Sequence, residues 1–152
     1  MQVFIAASGG FCRGVRKAVD TAMSVPPENT FIYGEIIHNP DVVARIERRG
    51  IRTTEELEEL PAGCSVIIRS HGVGKEVYRY CEEKGINVID CTCGFVRRTQ
   101  KIVEREYAAG RTVVIIGGKS HPEVIGINGW CGNTAYVFSD EGEDFSVLAD
   151  KE

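Results

Sequence analysis

Short apolar runs, each closed by a turn signal and followed by a stretch of helical period, set the rhythm of this chain. Val3-Phe4-Ile5-Ala6-Ala7, Thr30–Ile36, Ser65–Ser70, Asn87–Cys91 and Thr112–Gly117 read as strands. Between them helices are expected from the glycine turn at Ser8–Val15 to about Met23, over Asp41–Arg49, over Lys75–Lys84 and over Phe95–Ala109. Pro40 suits a first helical turn, and Gly50, Gly85 and Gly110 end their helices. Fainter signals mark a short strand at Ile51-Arg52-Thr53, a capped short helix at Glu55–Leu60 and a strand at Ala135–Phe138 in a glycine-rich remainder. Strands alternating with helices define an α/β fold of parallel βαβ units. A boundary near Cys93 divides a first lobe, residues 1–92, from a second and incomplete one, residues 93–152.

Charge narrows the partners. The 152 residues carry a net charge of −4 with acids and bases mixed, so no basic nucleic-acid footprint is present. An anionic ligand must then be held by local donors. No run approaches a membrane span, and Met1-Gln2-Val3-Phe4 lacks the features of a secretion signal. A cytoplasmic location follows as an expectation, and there thiols stay reduced. Six cysteines in that setting point to metal binding or catalysis more than to disulfides. Cys64 and Cys81, among ordinary neighbours, read as buried apolar thiols. The acidic run Glu55–Glu59 reads as a solvated face.

The chemistry-bearing residues sit where strands end. Cys12, His38, His71, Cys93 and His121 each follow a strand pattern, and in open α/β sheets ligands gather outside the carboxyl ends of the strands. Cys12 also lies at a helix entrance, which favours a thiolate. A single histidine is more often structural, but all three fall at strand exits beside Gly or Pro. Glu123, two residues beyond His121, reads equally as a general acid or as an ordinary loop carboxylate. Two fingerprints fail. Gly9, Gly10 and Gly14 do not make G-x-G-x-x-G, and Val113 stands where a P-loop ending at Gly118-Lys119-Ser120 requires glycine, which leaves Lys119 an exposed loop residue. Zinc is a fair rival for the Cys/His set. Yet Cys91-Thr92-Cys93 is C-x-C, whose alternate residues face opposite sides. Cys93 is the better ligand and Cys91 a core residue.

Five motifs in order carry a resemblance: Gly10-Phe11-Cys12-x-Gly14-Val15, Ile37-His38-Asn39-Pro40, Arg69-Ser70-His71-Gly72-Val73, Asp90-x-Thr92-Cys93 and Gly118-x-x-His121-Pro122-Glu123-Val124-x-Gly126. Together they resemble the 4-hydroxy-3-methylbut-2-enyl diphosphate reductases, the IspH or LytB family, over nearly the whole chain. The resemblance implies three α/β lobes around a 4Fe-4S cluster. It implies reductive dehydroxylation of an allylic alcohol diphosphate to isopentenyl and dimethylallyl diphosphate, the last step of the non-mevalonate isoprenoid route. Cys12 and Cys93 would be cluster ligands, His38 and His71 would hold the diphosphate, His121 would line the pocket and Glu123 would deliver a proton. The implied partners are the small diphosphate substrate and an electron donor such as ferredoxin or flavodoxin, with no nucleic acid and no membrane.

Those residue types suit that chemistry. Thiolates are the usual cluster ligands, imidazoles offer N–H donors to phosphate, and hydroxide needs a proton to leave. Departures exist: Gly94 replaces a proline, no histidine stands near Gln100 where family members often have one, and Cys91 replaces a small residue. The family's third cysteine lies in a later part of its longer chains, and Cys131 is outside that motif. The alternative expectation is a truncated, non-catalytic homologue that binds a diphosphate or needs a partner to complete the cluster site.

Overall fold

The computed structural model describes residues 1–4, 6, 9–139 and 142–149. Two parallel sheets organise the chain. The first has four strands in the order β2-β1-β3-β4, with β1 at Thr30–Tyr33, β2 at Arg52–Thr54, β3 at Ser65–Ile68 and β4 at Asn87–Asp90. In register, Ile32 lies between Thr53 and Ile67, and Ile67 faces Ile89 on its other side. The chain moves to one side from β1 to β2, then crosses back to place β3 on the other side. The order therefore reverses between β1 and β3, the position at which such sheets open a crevice.

Side-chain alternation along the strands builds two cores. Phe31, Val66 and Ile68 face α3 (Lys75–Glu83) through Val77 and Cys81. Ile32 and Ile67 point the other way, to Ala18 and Ala22 of α1 (Arg13–Ser24) and Ile46 of α2 (Pro40–Glu47). Fully burying each isoleucine contributes roughly 1.5–3 kcal/mol. The result is three layers, helix on sheet on helix. Asn39 caps α2 by accepting from Val42 N–H at 3.2 Å, and Pro40 opens the first turn.

The second sheet is a pair, β5 (Val114–Ile116) with β6 (Tyr136–Phe138), also parallel. Helix α4 (Gly94–Ala108) leads into it, and α5 (Pro122–Asn128) with the 3₁₀ turn Gly129–Cys131 crosses between its strands. Val103, Ile127 and Cys131 form its core.

Several expectations shift. β1, β3, β4 and β5 are shorter than their apolar runs, β1 because the chain turns out of the ladder at Gly34, φ 73°; β2 is shifted by one residue and β6 begins one residue later than expected. Glu55–Leu60 closes to a single 3₁₀ turn, Leu57–Glu59, since Thr54 Oγ1 accepts from Glu56 N–H and forms a local turn instead of a helix cap. The run read as an exit loop and glycine-rich remainder contains α5, entered by Pro122 in its first turn. The strand expected at Val3–Ala7 is not seen. Val3 and Phe4 are 72% and 86% exposed, Ala6 is exposed, and none joins either sheet, so their backbone finds no ladder among the described residues. Ile5 and Ala7 lie outside the described residues.

Candidate functional site

Both candidate cluster cysteines take the same local position. Cys12 is the N-cap of α1 and Cys93 the N-cap of α4, and neither makes a side-chain cap bond. Gly14, in the first turn of α1, lies against Cys93: a methyl group placed on it would be 3.1 Å from Cys93 Sγ. Lys17 Nζ donates to the Asp90 carbonyl at 3.1 Å and ties α1 to the end of β4. Asp90 in turn accepts from Thr92 N–H at 2.9 Å and pairs with Arg97. The two thiols line one cleft of ≈ 760 Å³, with Arg13, Lys17 and Arg98 beside them. Two helix N-termini open on this cleft, so their dipoles favour an anionic occupant.

The fit to an iron–sulfur group rests on donor chemistry and access. Of the six cysteines, Cys12 is exposed and Cys93 half-buried, while Cys64, Cys81, Cys91 and Cys131 are buried. Burial pushes the thiols of Cys64, Cys81 and Cys131 up, away from the thiolate a metal requires. Cys131 donates to the Asn128 carbonyl at 3.2 Å. Among the described residues no three His, Cys, Asp or Glu side chains converge on one point. The self-contained zinc site considered above has no ligand set among those residues.

Three strand exits bring the histidines together. His38 follows β1 and His71 follows β3, the adjacent strands where the order reverses, and their ring centroids are 6.4 Å apart. His121, the N-cap of α5, sets its ring edge-on to His71 at 5.9 Å. His38 Nδ1 meets Glu35 at 2.7 Å on the exposed side. His121 Nδ1 accepts from the Glu123 backbone N–H at 3.2 Å, which leaves Nε2 as its free donor. Glu123 sits in the first turn of α5, not in a loop.

His71, in the middle, is half-buried. Burial, then the Arg69 guanidinium, lowers its pKa; Glu123 opposes this, and His121 and His38 add to it. Its Nδ1 is buried without a hydrogen-bond partner. Protonating that nitrogen would bury an unpaired N–H. Nε2 is therefore the nitrogen left for a ligand. The thiol and imidazole groups are joined by backbone: Cys93 N–H donates to the Ser70 carbonyl at 2.9 Å, one residue before His71.

Sequence reasoning missed the supports of this loop. Arg69 Nη1 donates to the Glu35 carbonyl at 3.2 Å, with its guanidinium packed over Gly34. Gln100 is fully buried and donates to the Val73 carbonyl at 3.3 Å. Its signal was legible: Val96, Gln100 and Val103 form the inward stripe of α4, and a glutamine there interrupts an apolar face.

Parallel sheets, a switch-point crevice, two thiols at helix entrances and three imidazoles at strand exits define an α/β protein with a candidate ligand site at the carboxyl end of its first sheet. The chain belongs to the LytB family: the family model "LytB protein" matches residues 3–151. A 4-hydroxy-3-methylbut-2-enyl diphosphate reductase of Caldanaerobacter subterraneus is 48% identical over 143 residues, covering 90% of this chain and 50% of that protein. One from Alkaliphilus oremlandii is 46% identical over 147 residues, covering 94% and 52%. Among solved structures, an (E)-4-hydroxy-3-methyl-but-2-enyl diphosphate reductase superposes with TM-score 0.78 at 34% identity, covering 98% of this chain and 53% of that one. The Plasmodium falciparum reductase superposes with TM-score 0.83 at 25% identity, covering 96% and 48%. The chain thus spans about half the length of the relatives it matches.

Proposed function

We propose that this chain carries the diphosphate grip and two cluster ligands of a 4-hydroxy-3-methylbut-2-enyl diphosphate reductase, in two lobes divided at residues 92 and 93. The observation that carries the reading is that the His71 ring has the His38 ring 6.4 Å away and the His121 ring 5.9 Å away, next to the loop that bonds Cys93. His38 and His71 donate to the diphosphate, and His121 lines the same pocket through Nε2. Glu123, at the entrance of α5, supplies a proton to the departing hydroxyl. The net change is ROH + 2e⁻ + 2H⁺ → RH + H₂O, in which the C–O bond breaks and a C–H bond forms. Cys12 and Cys93 would hold the 4Fe-4S cluster, which supplies the electrons when bound. Ferredoxin or flavodoxin in the cytoplasm is the donor class that suits this chemistry. Among the described residues no helix is long and apolar enough to cross a membrane.

A second reading is a domain that binds diphosphate without turnover or needs a partner to complete its centre. The absence of three convergent metal ligands among the described residues favours it. Anaerobic reconstitution with iron and sulfide tests the first reading. A brown protein with cluster absorption, lost in Cys12→Ser and in Cys93→Ser, supports it; an unaltered cluster in both variants refutes the ligand assignment. Calorimetry with the diphosphate substrate on cluster-free protein tests the second, and an absence of heat refutes it.

A further inference from the structure

The two halves of the chain meet along Gly72-Val73-Gly74, immediately after His71. Two side chains from the second half hold the Val73 carbonyl: Gln100 Nε2 at 3.3 Å and Trp130 Nε1 at 2.9 Å. Two glycines then press against the neighbouring backbone. A methyl group on Gly126 would stand 3.3 Å from the Gly72 carbonyl oxygen and 3.4 Å from Val73 Cα. On Gly129 it would stand 2.5 Å from Gly74 Cα. Gly126 lies in α5, which His121 caps and Glu123 enters, and Gly129 opens the 3₁₀ turn that follows it directly.

One short element therefore touches the His71 loop twice. Its far end rests on the three residues after His71, and its near end holds the His121 ring 5.9 Å from the His71 ring. From residue 121 to residue 129 is roughly 12 Å of helix. A body that short moves as a unit. We infer that Gly126 and Gly129 are positioning residues: their bare backbones seat α5 on Gly72–Gly74 and so set the separation of His121 from His71. This rests on the reading of the histidines as a diphosphate grip, although the spacing itself can be measured without a ligand.

The expected displacement follows from contact distances. Carbon atoms in contact lie about 3.5–4.0 Å apart, so a methyl on Gly129 moves α5 outward by about 1 Å. The nearest partner is backbone at both positions; Gly129 would also meet the Glu76 carboxylate at 2.8 Å, a side-chain tip that can swing aside and leaves the Gly74 contact to set the displacement. On Gly126 the same change asks for only a few tenths of an ångström. His38 and His71 follow adjacent strands of the first sheet, β1 and β3, and their spacing does not pass through α5.

Nuclear magnetic resonance on the cluster-free chain, with assigned histidine rings, tests the inference. Nuclear Overhauser contacts are expected from His71 to both His38 and His121. In Gly129→Ala the His71–His121 contact falls several-fold, as the inverse sixth power of a separation lengthened by about 1 Å requires, and the His38–His71 contact stays; in Gly126→Ala the first weakens less. Calorimetry with inorganic pyrophosphate then gives about a tenfold or greater loss of affinity for Gly129→Ala, as expected for one lost charge-assisted hydrogen bond, and a smaller loss for Gly126→Ala. Unchanged ring contacts and unchanged affinity in Gly129→Ala overturn the proposal. If that variant loses its dispersed amide spectrum, Gly126→Ala decides, and an unweakened His71–His121 contact overturns it. Failure of the wild-type chain to bind pyrophosphate, with ring contacts behaving as described, refutes the diphosphate reading and leaves the spacing claim standing.

Discussion

Pyrophosphate binding should tighten as the pH falls, and His71 should account for part of that gain. In the free protein burial, then Arg69, holds this imidazole below its ordinary pKa of 6.5, so it is neutral at pH 7.5. A bound diphosphate reverses the balance by favouring the cation. The anion makes the bond charge-assisted even to the neutral ring; protonation adds the attraction of two unit charges, about 4 kcal/mol at about 4 Å in an effective dielectric of about 20, less the about 1–3 kcal/mol cost of the N–H it buries unpaired at Nδ1. The net, about 1–3 kcal/mol, corresponds to roughly a five- to 150-fold gain in affinity. Pyrophosphate titrates in the same range, so the informative quantity is the gain between pH 7.5 and 5.5 in the wild type relative to the gain in His71→Asn. Calorimetry on cluster-free protein measures both. An identical pH response in the two proteins would refute the reasoning. Stability moves in the opposite sense. Because the folded pKa lies below the unfolded one, the unfolded chain binds more protons as pH falls from about 6.5 toward the folded value. Stability is lost across that window, and His71→Asn removes this loss.

Other outcomes follow from the same geometry. Arg69→Met raises the His71 pKa and Glu123→Gln lowers it, because these groups act on the ring with opposite sign; histidine titration by nuclear magnetic resonance reads both, and shifts in the same direction contradict the site's electrostatics. Ile67→Ala, at the centre of the four-stranded sheet, costs about 2–5 kcal/mol in urea unfolding. Asp90→Ala strips the Thr92 N–H of its acceptor and Arg97 of its partner, and costs about 1–3 kcal/mol by the same assay.

Much of this could be read from the chain because it depends on local rules. The switch from apolar runs to helical period located β1, β3, β4 and β5, and glycine or proline marked the turns where Cys12, His38, His71, Cys93 and His121 stand. What escaped was set by distant partners. The apolar content of Val3–Phe4 suggested a strand, but a strand exists only where a neighbour offers a ladder. The glycines of Gly126–Gly132 suggested loop, whereas Gly126 and Gly129 lie in α5 and the turn after it because the approaching backbone leaves no room for a side chain. Gln100 was legible as an irregularity in a helix stripe, yet nothing local tells that its partner is a carbonyl 27 residues earlier.

The account stands on the sulfurs of Cys12 and Cys93 opening into the same cleft. A bifunctional methanethiosulfonate with a short ethylene spacer, which links two thiols opening into one cleft, tests this on the native, cluster-free chain. A shared cleft requires one equivalent bound, a single linked pair of peptides containing residues 12 and 93, and loss of bridging in either serine variant. Attachment to one sulfur only, or bridging between another pair, would contradict it.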